Sequence, residues 1–158
     1  LALSYDKHVA EASKEPDATA RYAVDYIKSA KPNLCAVIFD NPDHVGHADG
    51  HDTPEYYNML KVLDGYIAQI VEAVKEAGIL DDTIFIVTSD HGGIKKGHGG
   101  KTMQEMETAF IISGIGIKKG YEFTDSMMQF DTAATIAHIF NLKQPQVWIG
   151  RPMVQVFK

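Results

Sequence analysis

The chain contains a single cysteine and a single tryptophan, has no excess of positive charge, and has no apolar run long enough to cross a bilayer. Each scarcity excludes something. One cysteine, Cys35, rules out an internal disulfide, so cysteine usage does not fix a compartment. It lies inside the apolar run Leu34 to Phe39 and is expected to be a small buried hydrophobe. A net charge of -6 leaves no basic footprint, so nucleic acid is not an expected partner. Short apolar stretches argue against membrane insertion, and no signal peptide is visible. Internal repeats and low-complexity tracts are absent as well.

What is present is ordinary in bulk. Hydrophobic residues make up 45% and charged residues 23% of the 158 positions, which places the chain among globular proteins with a core of useful size, most simply one domain. Pro16 and Asp17 read as a helix start, with Ala20, Ala23, Val24, Ile27 and Ala30 at helical spacing behind them. Lys31-Pro32-Asn33 closes that helix. Leu34 to Phe39 is continuously apolar, as a strand buried on both faces is. Residues 41–53 hold three Asp, three His and two Gly and read as a loop. Thr53-Pro54-Glu55 marks a helix start, followed by an apolar stripe through Leu60, Leu63, Ile67, Ile70, Val71 and Val74 and a stop at Gly78. Strands are expected over 83–88 and 108–113, and a last helix over Phe130 to Phe140. Strands alternating with helices predict an α/β fold with a mostly parallel sheet.

The chemistry concentrates in three clusters: Asp43-His44-Val45-Gly46-His47, Ser89-Asp90-His91-Gly92-Gly93 and Gly97-His98-Gly99-Gly100. Carboxylate and imidazole are the donors a hard-to-borderline divalent cation takes. Asp90 and His91 follow an apolar strand, where α/β folds collect reactive groups. Gly92-Gly93 is expected to allow the sharp bend that lets neighbouring ligands converge. Asp43, His47, Asp90, His91 and His98 are therefore the candidate metal ligands. Five is too many for one zinc with an open position and too few for a complete two-metal site. His44, His51, Asp49 and Asp52 are expected to face solvent or support the ligands, with His44 able to exchange roles with His47. His8 and His138 read as structural. Lys95, Lys96 and Lys101 lie near His98 but read as solvated, and Trp148 as a packing residue.

These motifs resemble the alkaline phosphatase superfamily, and within it the nucleotide pyrophosphatase/phosphodiesterase branch. The likeness rests on Asp43-x-x-x-His47, Asp90-His91-Gly92 and Gly97-His98-Gly99. Further support comes from the segment Pro42 to Gly50 and the closing stretch Asp131 to Ile136 and Trp148 to Pro152. The resemblance implies the C-terminal part of a larger three-layer α/β/α metallohydrolase domain carrying two zinc ions. It would place Asp43, His47 and His98 on one ion and Asp90 and His91 on the other. It implies a small-molecule phosphate ester or nucleotide substrate and a periplasmic or secreted location. A further Asp and a Thr or Ser nucleophile are expected in the N-terminal half of the same protein. Ser4, Asp6, Ser13, Asp17, Thr19 and Asp25 do not lie in the strand–loop–helix setting such residues need. The chain alone is therefore expected to be inactive. Alternative readings are a sulfatase-like or cofactor-independent phosphoglycerate mutase-like member of the superfamily, or a non-catalytic metal-binding module.

Overall fold

A computed structural model describes residues 16–158. His8, Ser4, Asp6 and Ser13 lie outside the described residues. The element order is α1 (Pro16–Ala30), α2 (Asp43–Ala48), α3 (Pro54–Glu76), β1 (Ile84–Thr88), α4 (Met103–Met106), β2 (Phe110–Gly114) and α5 (Asp131–Ile139). The fold class is α/β. The chain divides into two compact units. One holds the described residues up to Thr83 together with His91–Glu107; the other holds Ile84–Asp90 and Thr108–Lys158.

The first unit is built on α1 and α3, which pack against each other. α1 begins at Pro16, whose fixed φ suits the first helical turn, and buries Ala18, Ala20, Ala23 and Ile27. Small side chains on that face allow close approach to α3, which buries Leu63, Ala73 and Val74. Thr53 caps α3, its hydroxyl accepting from the Tyr56 N–H at 3.3 Å and donating to the Gly50 carbonyl at 2.8 Å. Gly78 follows the helix with a φ of 73°, a left-handed geometry that glycine adopts without cost. Lys28 and Glu76 form an exposed ion pair between the two helices.

The second unit contains the only sheet among the described residues. Its two strands are antiparallel, with Ile84 opposite Gly114 and Thr88 opposite Phe110. This corrects the expectation of a mostly parallel sheet. The run Leu34 to Phe39 also forms no strand. A strand needs hydrogen-bonding neighbours, and apolar sequence alone supplies none. Without them Leu34 is 61% and Ile38 72% exposed, and Cys35 is exposed rather than buried. Its thiol still sits among enough protein for desolvation to raise its pKa. In α5, Asp131 and Thr135 are fully buried. Asp131 accepts backbone N–H groups from Met128 at 2.9 Å and Arg151 at 2.8 Å, one on each carboxylate oxygen. Thr135 donates to the Asp131 carbonyl at 2.8 Å and accepts from the Met153 N–H at 3.1 Å. These bonds tie the C-terminal stretch to α5. Trp148, expected to pack, is 43% exposed.

Candidate metal centre

The segment read as a loop contains a helix. α2 spans Asp43–Ala48, so the four-residue spacing of Asp43 and His47 places both on one helical face. His47 Nε2 stands 3.3 Å from Asp43 Oδ2. His98 reaches the same point from the glycine-flanked segment of the same unit. Its Nε2 lies 3.6 Å from Asp43 Oδ1 and 3.1 Å from His47 Nε2. The donor atoms of Asp43, His47 and His98 all fall within 4.8 Å of one another.

Proton positions follow from the partners. His47 Nδ1 lies 3.0 Å from the Lys96 carbonyl, which can only accept, so Nδ1 carries the hydrogen and Nε2 the lone pair. His98 Nε2, 3.1 Å away, either donates its N–H to that lone pair or shares a cation with it. Asp43 Oδ1 is shut off from solvent and has no hydrogen-bond partner. A buried acceptor left unsatisfied costs about 1–3 kcal/mol, and more when charged. An anionic oxygen in that state beside two imidazole nitrogens fits a divalent cation.

His91 is in the same unit. Its Nδ1 donates to the Gly92 carbonyl at 2.9 Å, making Nε2 the lone-pair nitrogen. Its ring stacks on that of His98, with centroids 3.8 Å apart and planes 20° from parallel. Asp90 ends the segment after β1, in the other unit. Neither glycine after His91 takes the left-handed region. They give room instead. A Cβ on Gly92 would stand 2.1 Å from the Gln104 carbonyl oxygen, and one on Gly93 2.2 Å from the His51 ring.

His51 is the residue that sequence reasoning undervalued. Its side chain is 6% exposed, with Nε2 3.8 Å from Asp43 Oδ1 and Nδ1 3.0 Å from the Lys95 carbonyl. The reverse turn through Lys95 and Lys96 therefore anchors two histidines by successive carbonyls. Lys95 is in the left-handed region, with a φ of 52°. Lys96 Nζ donates to the Ala48 carbonyl at 2.7 Å, tying the turn to the end of α2. Tyr56 lies against His51, ring centroids 5.3 Å apart, and its pKa is raised by burial and then by the Asp43 charge. Glu105 orders the chain beyond His98, accepting from Gly100 N at 2.8 Å and from Thr102 N and Oγ1 at 3.2 and 2.6 Å. Those bonds, the Thr102 hydroxyl first, hold its pKa below the ordinary glutamate value. His44, Asp49 and Asp52 are exposed, and Asp52 accepts from the Tyr57 hydroxyl. His138 lies against Phe157.

The family model for type I phosphodiesterase / nucleotide pyrophosphatase matches residues 2–141. Among curated proteins, the chain is 34% identical to GPI ethanolamine phosphate transferase 3 of Schizosaccharomyces pombe, over 56% of this chain and 9% of that protein. It is 27% identical to a 2,3-bisphosphoglycerate-independent phosphoglycerate mutase of Vibrio vulnificus, over 82% of this chain and 25% of the relative. A solved structure from Bacteroides thetaiotaomicron, described as a sulfatase, superposes with a TM-score of 0.71 at 15% identity, covering 95% of this chain and 48% of that one. The last likeness is one of fold. The chain thus spans at most a quarter of these two curated relatives and under half of the solved structure.

Proposed function

We infer the function from one premise: the chain belongs to the type I phosphodiesterase / nucleotide pyrophosphatase family, within the alkaline phosphatase superfamily of phosphoryl- and sulfuryl-transfer enzymes. Members of that superfamily generally use metal ions. Our reading is that this chain is the C-terminal portion of a zinc-dependent catalytic domain that hydrolyses phosphate esters. The substrate is a phosphomonoester, a phosphodiester or a nucleotide pyrophosphate.

The observation that carries this reading is the convergence of Asp43, His47 and His98 around a buried carboxylate oxygen with no hydrogen-bond partner. These three residues are the proposed ligands of one zinc ion; Asp90 and His91 are assigned to a second ion by motif. Bound zinc supplies Lewis acidity toward a phosphoryl oxygen and lowers the pKa of a hydroxyl or water. The chain's own residues prepare for that. Asp43 contributes the negative charge. The Lys96 carbonyl holds His47 in the tautomer that presents Nε2. The Gly92 carbonyl does the same for His91. The nucleophile, a Thr or Ser, comes from the N-terminal half of the domain, which we propose as this chain's partner. The chain alone is expected to show negligible turnover.

Relatives of mutase and sulfatase type make substrate class the point to test. The full-length protein is to be assayed with phosphomonoesters, phosphodiesters, a sulfate ester and phosphoglycerate. We expect hydrolysis of a phosphate ester, and losses of several orders of magnitude in Asp43→Ala and His91→Ala. Unchanged turnover in those variants would overturn the assignment; exclusive mutase or sulfatase activity would overturn the substrate class.

A further inference from the structure

His51 lies outside the proposed ligand set, yet the chain is shaped around it. Its backbone N–H donates to the Lys95 carbonyl at 2.6 Å, and its Nδ1 donates to the same oxygen at 3.0 Å. The ring therefore has no freedom to flip without losing a bond. Two glycines from separate segments leave space for it. A Cβ on Gly46 would stand 2.4 Å from His51 Nε2, and one on Gly93 2.2 Å from its Cδ2, distances that real Cβ atoms do not reach. Gly46 is inside α2, where glycine is less favourable than alanine. Room for the ring is what that cost provides.

The ring's remaining nitrogen stands 3.8 Å from the buried Oδ1 of Asp43, too far for a hydrogen bond. It is also outside the group of atoms close enough to share one ion. His51 thus packs beside the carboxylate oxygen without joining the ligands. We propose that His51 is a positioning residue. Clamped by the Lys95 carbonyl and by the glycine gaps at 46 and 93, it confines Asp43 to the orientation in which Oδ1 faces His98. The proposal rests on the metal-centre reading above. It explains two glycines and a strained lysine turn that metal ligation alone leaves without a reason.

The test is zinc titration of the chain by calorimetry, comparing wild type, His47→Ala, His51→Ala and His51→Asn, with circular dichroism to confirm folding. Loss of a group that orients a ligand typically weakens metal binding by about 10–100-fold. We expect a loss of that size in His51→Ala and partial recovery in His51→Asn, whose amide restores a donor to the Lys95 carbonyl. Tight wild-type binding that is lost in His47→Ala but unchanged in His51→Ala would overturn the positioning role alone. No binding by the wild type would overturn the metal centre and the positioning role together. If His51→Ala does not fold, imidazole ¹⁵N spectra of the wild type decide. Zinc should move the Nε2 resonances of His47 and His98 while His51 keeps its Nδ1–H tautomer. A coordination shift at His51 Nε2 would make it a ligand and overturn the proposal.

Discussion

Asp43 and Asp131 are the same residue type in opposite situations. Asp131 is fully buried, and each of its carboxylate oxygens accepts a backbone N–H at close to 2.9 Å. Asp43 is more accessible as a residue, yet its Oδ1 is closed off with no hydrogen-bond partner, and histidine nitrogens approach it at 3.6 and 3.8 Å. The difference separates two uses of a carboxylate. One whose acceptors are filled by the backbone is a structural staple. One kept unfilled beside convergent imidazoles is held ready for a cation, and the fold carries the cost.

That contrast can be broken by substitution. Asp131→Ala should have the largest effect on stability. It leaves two part-buried N–H groups without their acceptor and should lower unfolding free energy by about 1–3 kcal/mol, read as a lower denaturation midpoint. Asp43→Asn should do far less in metal-free buffer. It removes an uncompensated charge but also a favourable acid in the first turn of α2, and we expect a net change within about 1 kcal/mol. Equal destabilisation in the two variants would erase the distinction. The smallest effect concerns Glu105. Its folded pKa is depressed, so the order it gives residues 100–105 is fully present above the unfolded value and fades as pH falls through the lower folded one. Amide-exchange protection at Gly100 and Thr102, taken relative to the intrinsic rate at each pH, should fall on acidification below the usual glutamate range, and Glu105→Gln should abolish that pH dependence. Protection that does not change with pH in the wild type would contradict it.

The sequence revealed elements whose signals are local. Pro16, Thr53-Pro54 and Gly78 marked helix ends because caps and turns act through adjacent residues. The strands near 84–88 and 110–114 were legible from apolar β-branched runs. Their antiparallel pairing was not, since pairing is decided between distant segments. The run Leu34 to Phe39 misled for the same reason: its composition suits a strand, but a ladder requires a neighbour. At the site, the polar composition of residues 41–53 obscured α2, although the i, i+4 spacing of Asp43 and His47 is one helical turn and carried the signal. His51 offered no such signal. Its anchors, Gly93 and Lys95, are more than forty positions away.

The central claim is that Asp43, His47 and His98 hold one ion, and zinc titration of wild type, His47→Ala and His98→Ala tests it most directly. Saturable binding of one ion should be weakened in both variants by more than the roughly 10–100-fold that loss of a supporting group causes. Wild-type binding that survives intact in either variant, or no binding by the wild type, would contradict it.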